Sequence, residues 1–208
     1  MAYTHLKTAL FGALAISASS LACAADEVPT MTGASAAMLA DNCAGCHGTN
    51  GSSAGPASPT IAGISPVYFE EVMQGFKKGE IKSTIMGRIA QGYSDEEIKS
   101  MGEVFSKDTF VAAKQPFDAK KADFGAKLHD KYCEKCHADG GTSAEDDSGI
   151  LSGQLVPYLR YTMTDFLAGD REMTKKMKKQ VEKLLKKEGD GGIDALMNYY
   201  ASNKARGE

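Results

Sequence analysis

The sequence predicts an all-α protein made of two tandem copies of one small helical domain. Three observations carry this. A pattern of residues recurs at an offset of 90 along the 208-residue chain, the mark of an internal duplication. Helix start signals and apolar residues at spacings of three and four recur with it, and no stretch alternates convincingly with period two. Each copy also carries the same short motif, CAGCH at 43–47 and CEKCH at 133–137.

The duplication runs well beyond the motif. Gly51 pairs with Gly141, Gly63 with Gly153, Tyr68 with Tyr158, Met73 with Met163, Phe76 with Phe166 and Gly79 with Gly169, all without a gap. Further on, IKSMGEVFS matches IDALMNYYA at an offset of 95, so the second copy has gained about five residues between Gly169 and Ile193.

Each copy predicts the same order of elements. A first helix, about 33–43 and then about 122–133, leads into the motif. A Gly/Ser-rich loop follows, then a helix carrying Tyr68 to Phe76 or Tyr158 to Phe166, then a loop and a final helix over 94–106 or 191–202. Ser94 with Glu97 three residues on is a capping-box start. Ile98, Met101 and Phe105 give that helix one buried stripe. The expected boundaries are a signal peptide at 1–25, a first domain at 26–113, a linker at 114–122 around Pro116, and a second domain at 123–208. A helical domain of under 100 residues has a marginal core of its own.

CxxC followed at once by His is the attachment signature of c-type haem. The two thiols of one helical turn reach the two vinyl groups of a porphyrin, and the next residue supplies the proximal nitrogen to iron. Cys43, Cys46, Cys133 and Cys136 are the attachment points, and His47 and His137 the proximal ligands. A thioredoxin-like dithiol needs no histidine. A tetrahedral zinc site made of the four cysteines leaves both histidines without a role. Two covalent haems are expected, each filling the apolar centre of its domain. The carbonyls of Pro59 and of Gly149, 90 residues on, are placed to accept the other N–H of His47 and His137. Tyr68 and Tyr158 are either hydrogen-bond partners of haem propionates or core residues with a wet hydroxyl. His129, one helical turn before Cys133, reads as structural.

The distal ligand decides between electron carriage and gas or peroxide chemistry. In the first copy Met86 stands in the loop before the last helix, while Met73, matched by Met163, reads as core packing. In the second copy Met177 fits better than Met173, with Val181 and Leu184 following it much as Ile89 and Tyr93 follow Met86. A methionine for each haem argues against a dihaem peroxidase, and no catalytic residue is assigned.

Lys7, the apolar run TALFGALAISASSLA and the small residues ACAAD have the layout of a secretory signal peptide, so a periplasmic protein is expected. Cys23 leaves with it, unless it is the lipidated residue of a lipoprotein signal. The apolar run is too short to span a bilayer. The net charge of -3 offers nothing to nucleic acid. One local exception is 171–187, REMTKKMKKQVEKLLKK, with eight basic residues and two acidic ones. This is either a docking patch for an acidic partner or the solvated face of a helix with Val181, Leu184 and Leu185 turned inward.

CAGCHGTNG, GPASP, FEEVMQGFKKGEIKSTIMGRIAQGYS and GAKLHDKYCEKCH together resemble the dihaem cytochrome subunits of flavocytochrome c sulfide dehydrogenases, over essentially the whole mature chain. The resemblance implies two cytochrome c-like domains with His/Met ligation. It also implies a separate partner subunit that binds FAD and oxidises sulfide, and electrons passed on to a soluble periplasmic acceptor. FAD is expected on that partner alone, since no GxGxxG fingerprint follows a strand here. The alternative is a free-standing periplasmic dihaem shuttle to a terminal oxidase.

Overall fold

The computed structural model describes residues 33–145 and 147–207. The signal-peptide reading of 1–25, with Cys23, lies outside the described residues. No strand occurs among the described residues. The helices of the first copy are α1 (Ala36–Asp41), α2 (Ala44–His47), α3 (Pro66–Lys78), α4 (Met86–Ala90) and α5 (Asp95–Phe105). Those of the second are α6 (Ala119–Tyr132), α7 (Ala138–Gly141), α8 (Val156–Ala168), α9 (Lys175–Glu188) and α10 (Asp190–Ala201). No helix among the described residues is long and apolar enough to cross a membrane.

Local chemistry explains most boundaries. Ser65 caps α3 through the Tyr68 N–H, with Pro66 in the first turn where its missing donor costs nothing. Gly79 at φ 74° and Gly169 at φ 80° end α3 and α8 in the left-handed conformation that a side chain would strain. Ser94 and Glu97 form the expected capping box: the Glu97 N–H donates to Ser94 Oγ at 3.2 Å, and the Ser94 N–H to Glu97 Oε2 at 2.8 Å. Asp118 caps α6, which therefore begins three residues earlier than the sequence suggests and inside the stretch expected to be linker. The rest of that stretch is tied down: the Ala113 N–H donates to the Gly153 carbonyl at 2.8 Å, and the Asp118 N–H to Asn198 Oδ1 at 2.8 Å.

In the first copy α5 packs on α1 and α3, and α3 also packs on α4; in the second, α10 packs on α6, α8 and α9. Ile98, Met101 and Phe105 of α5 are buried, with Leu39, Phe69 and Met73 around them. Each such side chain contributes about 1.5–3 kcal/mol by leaving water. Leu128, Leu159, Leu184, Leu196 and Met197 form the second core. Ile150, from the second copy, is buried in the first core.

The duplication is visible in the loop hydrogen bonds. The Gly51 carbonyl accepts from Ile61 and Ala62, and the Gly141 carbonyl from Leu151 and Ser152. The Gly63 N–H donates to the Phe105 carbonyl at 2.8 Å, and the Gly153 N–H to the Tyr200 carbonyl at 2.9 Å. The copies part company in the inserted region. The sequence leaves a loop or a helix open around Met177; Lys175–Glu188 is a continuous 14-residue helix capped by Thr174. Leu184 is buried, Val181 and Leu185 are half-buried, and most of the lysines face water, which makes the basic run the solvated side of an amphipathic helix.

Candidate functional site

Each CxxCH motif closes one helical turn. The His47 N–H bonds the Cys43 carbonyl at 2.9 Å, and the His137 N–H bonds the Cys133 carbonyl at 3.0 Å. That turn puts both sulfurs and the imidazole of each motif on one short stretch of backbone. In both motifs the first cysteine is half-buried against its core, and the second is exposed. All four thiols are unbridged.

Both imidazoles are anchored as the spacing predicts. His47 Nδ1–H donates to the Pro59 carbonyl at 2.8 Å, and His137 Nδ1–H to the Gly149 carbonyl at 3.1 Å. A carbonyl can only accept, so the proton belongs on Nδ1, and Nε2 keeps its lone pair in the neutral ring. His47 is 9% exposed. Its burial lowers the imidazole pKa, more than the Pro59 hydrogen bond raises it, and so favours the neutral ligand form.

The first thiol of each motif lacks the activation of a redox dithiol. Burial raises the Cys43 thiol, with the neighbouring Cys46 adding to it, and burial pushes Cys133 up to about 11. An activated CxxC is shifted the other way. Among the described residues no three His, Cys, Asp or Glu side chains converge as a metal cluster.

The donor set therefore fits haem, and a feature between the copies fits its acidic edge. Arg171 Nη2 donates to Tyr68 Oη at 3.2 Å, and Tyr158 is a hydrogen-bond partner of both. Burial, then the neighbouring Tyr158, pushes the Tyr68 phenol up to about 12, so it stays neutral. No carboxylate among the described residues pairs with this half-buried guanidinium within 4 Å, leaving its charge available to an anion such as a propionate. The sequence offers both tyrosines as propionate partners or core; it carries no signal for Arg171, whose neighbours come from α3 and α8.

The methionines fall into two groups. Met73 is 5% exposed inside the first core, and Met163 packs on the second. Met86 opens α4, half-buried against the core that also receives Cys43 and Tyr93. Met177 and Met173 are both half-buried, Met177 in the first turn of α9 and Met173 just before it.

His129 is structural, as its place in the sequence suggests, and its ring has no exposed surface. Sequence reasoning misses Glu134, the second residue of CEKCH. Its carboxylate bonds His129 Nε2 at 2.8 Å and accepts the N–H groups of Asp139 and Gly140, both at 3.0 Å. Asp139 and Gly140 have positive φ, so Glu134 holds the strained turn just after His137.

Comparison with known proteins agrees with this geometry. Residues 33–103 match the cytochrome c family. The chain is 46% identical over 68 residues to the cytochrome subunit of sulfide dehydrogenase of Chlorobaculum tepidum, a match that spans 33% of this chain and 61% of that protein. It is 29% identical over 178 residues to the thiosulfate dehydrogenase electron acceptor of Stutzerimonas stutzeri, covering 81% of this chain and 82% of that one. Among solved structures, the reduced recombinant cytochrome c4 of Pseudomonas stutzeri superposes with a TM-score of 0.67 at 24% identity, over 81% of this chain and 98% of that chain. The fold is that of two tandem cytochrome c-like domains, and the two CxxCH motifs fit covalent haem c.

Proposed function

Proceeding from a cytochrome c domain over residues 33–103, we propose that this chain is a periplasmic dihaem c-type cytochrome that serves a sulfide-oxidising flavoprotein. One haem is held by Cys43, Cys46, His47 and Met86, the other by Cys133, Cys136, His137 and Met177. The first domain covers 26–113, and the second, expected from 123, is counted from the start of α6 as 119–208. The chain accepts electrons from an FAD-containing subunit and passes them to a soluble acceptor; catalysis at sulfide belongs to the partner. The observation that carries the dihaem reading is the twofold repeat of CxxCH with each imidazole Nδ1–H on a backbone carbonyl twelve residues on. The 46% identity to a sulfide dehydrogenase cytochrome subunit supports the choice of partner.

Haem, when bound, supplies one-electron exchange at iron. The chain's own residues do the rest. Pro59 and Gly149 orient the imidazoles and raise their basicity. The two cores exclude water, and methionine sulfur at the distal position favours the reduced state. Arg171, with Tyr68 and Tyr158, offers positive charge and hydroxyls between the two copies.

An alkaline pyridine spectrum of the purified chain is expected to show two c-type haems per polypeptide. Affinity purification from the source cells is expected to bring down a flavoprotein whose sulfide oxidation reduces this cytochrome. A second reading, a free-standing carrier, draws on the relative named as a thiosulfate dehydrogenase electron acceptor, which matches over most of its length. Reduction by thiosulfate-oxidising extracts, with no flavoprotein retained, favours that reading over the first.

A further inference from the structure

The carbonyls that anchor the two imidazoles belong to loops held by the opposite copy. Pro59 precedes Thr60, whose backbone is gripped at both polar atoms by one side chain of the second copy. The Thr60 N–H donates to Gln154 Oε1 at 3.0 Å, and Gln154 Nε2 donates to the Thr60 carbonyl at 2.8 Å. Thr60 is 2% exposed and Gln154 3%. Gln154 is fixed in turn. Its Oε1 accepts the Leu155 N–H at 3.0 Å, and its carbonyl accepts Gln115 Nε2 at 2.7 Å.

The reverse support uses other chemistry. Gly149 lies against the Tyr68 ring of the first copy; a methyl group on its Cα would stand 2.9 Å from Tyr68 Oη. Two residues earlier Asp147 accepts a hydrogen bond from Ser65 Oγ. One residue later Ile150 is buried in the first core.

We infer that the two copies reciprocally position each other's proximal histidine: Gln154 of the second acts on His47 through Thr60 and Pro59, and Tyr68 of the first acts on His137 through Gly149. The inference rests on the reading of His47 and His137 as proximal ligands. Physically, a carbonyl clamped from its neighbouring residue cannot drift from Nδ1. The strength of that hydrogen bond sets ring orientation and how much electron density the imidazole gives the metal. Loosening the clamp weakens the bond, makes the imidazole a poorer donor to ferric iron, and favours the reduced state at that centre. The register is a crossed one, since a change in one copy is felt at the centre of the other.

The test is spectroelectrochemical titration of the holoprotein, with each potential assigned to its centre by the hyperfine-shifted NMR signals of the axial histidines. Gln154→Leu is expected to raise the reduced-to-oxidised ratio of the His47 centre at fixed potential by roughly tenfold, with the His137 centre unmoved. Tyr68→Leu is expected to raise the ratio of the His137 centre relative to Tyr68→Phe, which loses the same hydroxyl beside Arg171 but keeps the ring against Gly149, with the His47 centre equal in the two variants. Where Gln154→Leu yields no holoprotein, Gln154→Asn, which keeps the amide but shortens its reach, gives the same crossed shift in smaller measure. Equal shifts at both centres, a shift only at the centre of the mutated copy, or no shift overturns the inference. NMR signals showing that His47 or His137 is not an axial ligand overturn the reading beneath it instead. Intact ligation without a crossed shift sinks the positioning role alone.

Discussion

His129 and Glu134 are joined by a 2.8 Å hydrogen bond from the imidazole Nε2 to Oε2 of the carboxylate, and the other ring nitrogen meets Tyr200 Oη at 3.0 Å. One buried ring thus links α6, the CEKCH turn and α10. Replacing His129 by Leu leaves a buried phenol and a carboxylate short of a partner. The expected loss is about 1–3 kcal/mol, the cost of stranding buried polar groups. Urea unfolding of the holoprotein measures it, and an unchanged midpoint contradicts it.

Gly125 is where α6 meets α10. A Cβ there would stand 2.1 Å from the Ala195 carbonyl oxygen and 2.8 Å from Tyr199 Cβ, so the two helices touch through backbone. Gly125→Ala forces them apart and is expected to cost about 1–3 kcal/mol. Gly191, on α10, is the control, because a methyl group on its Cα would meet nothing within 4 Å. There the same substitution is expected to stabilise by about 0.4–1 kcal/mol through the unfolded chain. Thermal unfolding of the two variants side by side distinguishes steric contact from helix propensity.

These two sites show where the sequence is legible and where it is not. The duplication, the capping box at Ser94 and the imidazole–carbonyl pairs are all readable, because each depends on a fixed spacing along the chain. The helix over Lys175–Glu188 is half-readable: its apolar stripe of Val181, Leu184 and Leu185 stands out, but the seven lysines in the run make a loop equally natural. Gly125 and Gln154 carry no signal at all. Gln154 meets Thr60 across 94 residues of chain, and in the other copy its counterpart is Ile64. A tertiary clamp of that kind leaves no local pattern.

Asp194 of α10 binds Lys121 of α6 at 2.7 Å and Arg160 of α8 at 2.5 Å. The Lys121 and then the Arg160 hydrogen bonds lower its pKa from the ordinary 3.8. A carboxyl depressed on folding stabilises the native state above its unfolded pKa, and the effect is lost as pH falls through the folded value. Asp194→Asn is therefore expected to be less stable than the parent by a small, constant margin at neutral pH. That margin closes only below pH 3.8. The pair is partly exposed, so salt is expected to shrink the margin as well. Denaturant unfolding of both proteins from neutral to acid pH reads the difference directly; a gap that persists to the acid limit removes the ion pairs as its cause.

The distal ligands set the chemistry of the two centres, and the three candidate methionines give distinct outcomes. Met86 opens α4, Met177 lies in the first turn of α9, and Met173 precedes that helix. A thioether raises the potential and fills the sixth position. Met86→Leu and Met177→Leu are each expected to lower one of the two potentials and to open that centre to carbon monoxide, one equivalent per chain. Met173→Leu is expected to leave both potentials and the carbon monoxide stoichiometry unchanged. Helix α9 gives a physical reason for choosing Met177: the Thr174 cap on the Met177 N–H, 3.2 Å long, fixes the backbone from which its side chain leaves. Carbon monoxide binding to the Met173 variant, with none to the Met177 variant, would transfer the ligand to the residue before the helix.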